Sequence, residues 1–359
     1  MTRIPVLDGH NDTLTQIRNA PAEARRTFLV RSELGHVDLA RAQEGGLAGG
    51  FFAIFTPSPG RERVRRPRMD AEGRAVPGAW VVEPARRVSR RSALTYTLAV
   101  LSDLFRLERD AAGSVAVVRS VSELERCLEN GTLAVIAHVE GAEAIDTRME
   151  ALDVLHAAGL RSLGPVWSRP NAFGTGVPFD FPGSPDIGPG LSAAGRRLIK
   201  ACARLGVLVD LSHLNERGFW DVSRLHDAPL VATHSAVHAL CPSPRNLTDA
   251  QLDAIGASGG LVGINFHTGF LRADGDAEQP TSLQEIVRHA RYVADRIGLE
   301  HVALGSDFDG AVMPVDLQDV TGLPRLLQAF RDAGFHQSDL EGIAHRNWVR
   351  VLRQIWGDA

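Results

Sequence analysis

Ile4-Pro5-Val6-Leu7-Asp8-Gly9-His10-Asn11-Asp12 opens the chain with a short apolar run that breaks abruptly into Asp-Gly and then His-Asn-Asp. Apolar side chains on both sides of a proline read as a buried strand of the parallel type. His10 and Asp12 fall at its C-terminal end, and residues two apart on an extended chain point the same way. An imidazole and a carboxylate are thus offered together at a strand mouth, where a parallel α/β fold collects its chemistry. Taken alone, His-x-Asp is equally well a capping aspartate beside a surface histidine. How the later strands end decides between the two.

Seven further apolar runs of strand length begin near residues 47, 133, 160, 206, 229, 260 and 301. Helix-compatible stretches separate them at 92–107, 149–158, 191–205 (opening at Ser192), 248–258 and 282–297, and two more at 320–333 and 338–356 close the chain. Eight buried strands alternating with helices predict an α/β fold of the (β/α)8 TIM-barrel type, one domain over residues 1–359. A doubly wound open sheet competes less well, because no Gly-x-Gly-x-x-Gly turn follows any strand. Residues 58–90 differ in kind: Arg61, Arg63, Arg65, Arg66, Arg68, Arg74, Arg86 and Arg87 crowd a Pro- and Gly-rich segment between the second and third of these strands. A lid or an oligomer contact is one reading of this insertion; a solvated, partly mobile loop is the reading preferred.

With 359 residues, 44% hydrophobic and 23% charged, the composition is that of an ordinary globular protein. A formal net charge of −4 gives no electrostatic reason to expect nucleic acid or an anionic membrane as partner. Cys127, Cys202 and Cys241 are too few and too scattered for a disulfide framework or a thiolate zinc site. Neither a signal peptide nor an apolar stretch of membrane-spanning length is visible. The expected location is therefore cytoplasmic. Barrel enzymes often pair, so a homodimer is compatible with the chain, although no interface signal stands out.

In a barrel the strand C-termini share one rim, and here they end in His10 with Asp12, Glu140, Trp167, His213, His234, His267 just beyond Phe266, and Asp307. Each residue has a plain structural explanation singly, as a cap, a loop hydrogen bond or an ion pair. Together they are a ring of buried acids and imidazoles whose repulsion and desolvation cations relieve most simply. Imidazoles and carboxylates without thiolate favour zinc, with manganese, cobalt or iron allowed by the same argument. Three histidines, an aspartate and a glutamate exceed one tetrahedral ion with an open position and suit two ions about 3.5–4 Å apart. Glu140 is the candidate bridge. A carboxylated lysine is not available for that role, because Lys200, the only lysine among 39 basic residues, sits in a helix. Two close cations would acidify a water between them into a bridging hydroxide, and Asp307 stands where a proton shuttle would. Hydrolysis of an amide is the reaction class this predicts.

The ordered series Val6-Leu-Asp-Gly-His-Asn-Asp12, His138-Val-Glu-Gly141, Asp210-Leu-Ser-His213, Thr233-His-Ser235, Pro244-Arg-Asn246, Val262-Gly-Ile-Asn-Phe266 and Gly305-Ser-Asp-Phe-Asp-Gly310 resembles the renal (membrane) dipeptidase family of the metal-dependent amidohydrolases. The resemblance implies that His10 and Asp12 hold one zinc and His213 and His234 the other, with Glu140 shared. It further implies that Arg245 holds the substrate's C-terminal carboxylate and that Asp307, rather than Asp309, is the acid/base. The implied activity is hydrolysis of dipeptides, several family members accepting a D-residue at the C-terminal position. One departure concerns the fourth strand. Where the family usually ends it in Leu-Thr-His, this chain reads Pro165-Val-Trp167 and then Ser-Arg-Pro-Asn171. Trp167 removes a donor expected to polarise the scissile carbonyl, so His267 or Arg169 is the candidate substitute, and Trp167 and Asn171 join the expected substrate contacts. The competing functions are an amidohydrolase acting on another small amide, such as an N-acyl amino acid, and a non-catalytic metal-stabilised binding protein.

Overall fold

A computed structural model describes residues 3–60 and 64–357; Arg61 and Arg63 of the arginine-rich segment lie outside them. All eight expected strands are present: β1 (Val6–Asn11), β2 (Leu47–Phe55), β6 (Leu133–Glu140), β7 (Leu160–Gly164), β8 (Leu208–Val209), β9 (Val231–Ser235), β10 (Leu261–Ile264) and β11 (Val302–Leu304). The other three are β3 (Arg65–Met69), β4 (Ala75–Val82) and β5 (Val115–Val117).

The eight strands run parallel in two sheets, ordered β1-β2-β6-β7-β8 and β11-β10-β9, with β5 added beside the start of β6. Single parallel bridges connect the sheets at both edges, Asp210 to Val231 and Asn11 to Phe308. Leu7, Phe51, Ile136, Leu208, Val231, Leu261 and Ala303, from seven strands, meet in one buried cluster with Trp348. Its space is tight enough to exclude a side chain from β1 at Gly9, where a Cβ would stand 2.3 Å from the Thr233 carbonyl and 2.9 Å from that of Leu304. A larger core lies between the outer faces of the strands and the helices.

Helices form where the apolar periodicity lies, and polar side chains start them: Ser192 accepts from Gly195 N–H, and Thr248 with Gln251 makes a capping box. The helices Val121–Asn130 and Glu216–Leu225 were not expected, although Ser120 and Asn215 cap them, accepting from the Glu123 and Gly218 amides. The single closing helix expected at 338–356 is instead Gln337–Glu341, a π-helical segment Gly342–Arg346, and Asn347–Trp356. Beyond the wide turn, Asn347 Nδ2 donates to the Leu299 and Val302 carbonyls and Trp348 Nε1 to Leu304, anchoring this helix on β11.

The expectation of a solvated loop at 58–90 is corrected. β3 and β4 pair as an antiparallel hairpin, its tip exposed and its base docked. Trp80 explains why, since a large apolar ring inside an arginine-rich segment needs cover, and it stacks on Phe181 with 4.7 Å between ring centres. No described helix is long and apolar enough to cross a membrane.

Candidate metal centre

His10, Asp12, Glu140, His213, His234 and Asp307 converge at the C-terminal ends of β1, β6, β8, β9 and β11, or on the loops that follow directly. Glu140 is central: its Oε1 lies 2.9 Å from His213 Nε2, 3.5 Å from His234 Nε2 and 3.9 Å from His10 Nε2. The Nε2 atoms of His213 and His234 are 3.2 Å apart, and the rings of His10 and His234 stack at 3.8 Å. Ligand atoms of His10, Glu140 and His234 fall within 4.8 Å of one another, as do those of His10, Asp12 and Asp307. Lys200 is exposed on the helix Ala193–Leu205.

The residues beneath the cluster fix which nitrogens face it. Thr233 Oγ1 donates to the Asp210 carboxylate at 2.7 Å and so accepts from His234 Nδ1 at 2.8 Å. That puts the proton on Nδ1 and turns a bare Nε2 lone pair toward Glu140. His213 Nδ1 is held by Ser168 Oγ at 2.7 Å. Among the described residues neither ring nitrogen of His10 has a hydrogen-bond partner, although the ring is fully buried and Asp12 Oδ2 stands 3.5 Å from Nε2. A buried imidazole without a partner beside lone pairs and carboxylates is the donor set of a cation site.

Electrostatics agree. Burial opposes protonation of His10, but the carboxylates of Glu140, Asp12 and Asp307 overcome it and lift the imidazole to about 10. Burial also raises Glu140 to about 8 against the pull of His10, and raises Asp12. His234 is pushed well down by burial and by the neighbouring cations. The carboxylates thus favour a positive charge at His10, while His234 is kept neutral with its lone pair available. His213 and Asp307 both hold left-handed backbone, φ 67° and 62°, a costly conformation for residues with a Cβ and one that concentrates at functional sites.

Asp307 and Asp309 are two residues apart and differ sharply in surroundings. Asp309 is saturated, taking Arg26 at 3.0 Å, Thr13 Oγ1 at 2.8 Å and the His36 amide at 2.5 Å. Asp307 Oδ2 accepts from Asn265 Nδ2 at 2.9 Å and the residue lines the cavity. Gly310 permits its approach to Asp12, since a Cβ there would sit 2.1 Å from Asp12 Oδ2 and 2.8 Å from Asp307 Oδ1.

Over the cluster opens a cavity of about 700 Å³ whose lining includes Asp12, Glu140, Trp167, His213, His267 and Asp307. Arg245 is buried beside it without being one of its lining residues, its Nη2 donating to the His234 carbonyl at 3.0 Å, and its Nε has no hydrogen-bond partner among the described residues. His267 Nδ1 accepts from the Val312 amide at 3.2 Å, which leaves the ring proton on Nε2. Two further expected contacts are turned away from the cavity. Asn171 braces its own loop, donating to the Pro165 carbonyl and accepting from the Phe173 and Gly174 amides. Arg169 is spent on Glu143 at 2.7 Å, Ser58 Oγ and the Thr56 carbonyl. Sequence reasoning missed Asn265, Ser168, Thr233 and Asp210, although three of them sit within or beside motifs that carry the ligands. It also missed Arg65 and Trp80 as cavity wall, for which a lone tryptophan in a polar segment was the available signal.

A family model described as membrane dipeptidase (peptidase family M19) matches residues 1–357. The chain is 51% identical over 259 residues to an uncharacterized protein in the pqqA 5′ region of Klebsiella pneumoniae, covering 72% of this chain and 94% of that one. It is 28% identical over 354 residues to dipeptidase verJ of Clonostachys rogersoniana, covering 98% and 84%. A crystal structure of a metallopeptidase from Rhodobacter sphaeroides, liganded with a phosphinate mimic of the dipeptide L-Ala-D-Ala, superposes with a TM-score of 0.91 at 46% identity, covering 99% of this chain and 100% of that one. With essentially its whole length matched, the chain belongs to the membrane dipeptidase family, peptidase family M19, and is a metal-dependent dipeptidase.

Proposed function

We propose that the protein is a binuclear zinc dipeptidase whose site lies at the rim of a closed (β/α)8 barrel formed by residues 1–359 as one domain. Closure is supported by the two edge bridges and by the cluster drawn from seven strands. The observation that carries the function is the convergence of three imidazoles on Glu140, with His10 buried and unpartnered. His10 and Asp12 would hold one ion, His213 and His234 the other, and Glu140 both. Zinc would supply Lewis acidity and a water acidified to near neutral pH.

The chain's own groups do the rest. Arg245, buried beside the cavity, would take the substrate's terminal carboxylate. His267, with its proton on Nε2, would donate to the scissile carbonyl in place of the histidine replaced by Trp167, whose indole makes an apolar wall. Asp307, aligned by Asn265, would receive the proton of the attacking water and pass it to the leaving amine. The phosphinate complex of the Rhodobacter sphaeroides relative supports a D-residue at the C-terminal position. Three free, buried thiols fit a reducing, cytoplasmic compartment.

Metal analysis of protein purified without chelator, paired with hydrolysis of L-Ala-D-Ala and L-Ala-L-Ala before and after stripping and restoring zinc, tests the proposal. About two ions per chain and zinc-dependent cleavage favouring the D-residue are expected; one ion per chain, or cleavage indifferent to zinc, rejects it.

A further inference from the structure

The arginine-rich segment reaches the cavity. Arg65 and Trp80, on the paired strands β3 and β4, line it, and Arg65 is the only arginine or lysine among the described residues that do. The base of the hairpin is held firmly. Trp80 and Phe181 exchange backbone hydrogen bonds of 2.7 and 2.9 Å, Trp80 Nε1 donates to the Phe179 carbonyl at 3.2 Å, and Val82 N–H donates to Asp180 at 2.8 Å. The Arg65 guanidinium carbon lies 3.4 Å from the centre of the Trp80 ring, a cation–π contact that holds the charge at the cavity wall. Its carboxylate neighbour, Asp276, is at 3.9 Å, and the side chain stays 47% exposed. Of the carboxylates higher on the wall, Asp309 is paired with Arg26, and Asp180 accepts a hydrogen bond from the Val82 amide, a neutral donor.

A dipeptide without charged side chains has one carboxylate for Arg245 and nothing for Arg65. We propose that Arg65, seated on Trp80, selects dipeptides that carry a second carboxylate, an aspartate or glutamate side chain. This rests on reading the cavity as the dipeptide site.

The test is kcat/KM of the zinc-loaded enzyme on two matched pairs, Glu-Ala against Gln-Ala and Ala-Glu against Ala-Gln, with the C-terminal residue in both D- and L-forms. A preference for glutamate over glutamine of roughly fivefold is expected in at least one pair, the scale of one half-exposed charge pair. Arg65→Gln should bring the ratio to about one, chiefly through KM, and Arg65→Lys should keep most of it. Equal use of Glu and Gln by the native enzyme, a preference that survives Arg65→Gln, or equal loss in Arg65→Lys and Arg65→Gln overturns the inference while leaving the dipeptidase reading intact. Failure to cleave any of these peptides, or L-Ala-D-Ala, would remove that reading and this inference with it.

Discussion

Nδ1 of His234 lies 2.8 Å from the hydroxyl of Thr233, which in turn reaches Asp210 at 2.7 Å. A carboxylate at the far end of this chain determines the tautomer at the near end. Groups placed this way are worth roughly ten- to a hundredfold in metal affinity. Thr233→Val keeps the shape and removes the relay, so zinc affinity measured by competition with a chromogenic chelator should fall by about that factor. Unchanged affinity would show that His234 needs no such support.

Replacing Asp307 by Asn removes the proposed proton carrier while keeping its size and its contact with Asn265. Turnover should drop by roughly 10²–10⁴-fold with two zinc ions retained by elemental analysis. Because Asp307 also lies among the groups that could hold an ion with His10 and Asp12, loss of metal alongside activity would assign it to binding instead.

His267→Phe tests what stands in for the missing histidine. The substitution keeps an aromatic ring against Phe270, 4.5 Å away, and deletes the Nε2 donor. A fall in kcat of roughly 10²–10³-fold with little change in KM is expected if that donor acts on the transition state. A change confined to KM would make His267 a wall of the cavity only.

The rim was legible in the sequence because strands of a parallel sheet, covered on both faces, appear as continuous apolar runs, and their polar ends stand out. His10, Glu140, His213, His234 and Asp307 could be placed in one ring from strand order alone. Choices of partner across long separations could not be read in this way. Arg169 is two residues past Trp167 yet belongs to Glu143, and Asn171 turns back on its own loop. The hairpin failed for a related reason: the crowded arginines set the reading of the segment, whereas one tryptophan, docking on Phe181 a hundred residues away, set its structure.

The Arg169–Glu143 pair also predicts a stability effect. Both side chains are buried, and Glu143 Oε2 has no hydrogen-bond partner among the described residues even with Arg169 in place. Arg169→Met would leave an uncompensated carboxylate there and should cost about 3–5 kcal/mol in denaturant unfolding, whereas the double replacement Arg169→Met with Glu143→Leu should recover much of the loss. Equal destabilisation by the single and double variants would mean that packing, rather than charge, matters at this position.

His289 offers a pH dependence away from the metal centre. Its Nδ1 accepts from the Val237 amide at 3.0 Å and its Nε2 donates to the Leu271 carbonyl at 2.9 Å, so the fold requires the neutral ring. Burial holds its pKa at about 4 against an ordinary 6.5. Since the folded value is the lower one, the unfolded chain takes up the proton first. The stabilisation is complete above about pH 6.5 and is lost progressively as the pH falls toward 4, by roughly 3 kcal/mol in all. His289→Gln supplies an amide that does not titrate. Its unfolding free energy should therefore fall less than the native protein's between pH 7 and 5, by about 2 kcal/mol. Parallel losses in the two proteins would place the acid sensitivity elsewhere, and the buried carboxylates of the rim would be the next groups to examine.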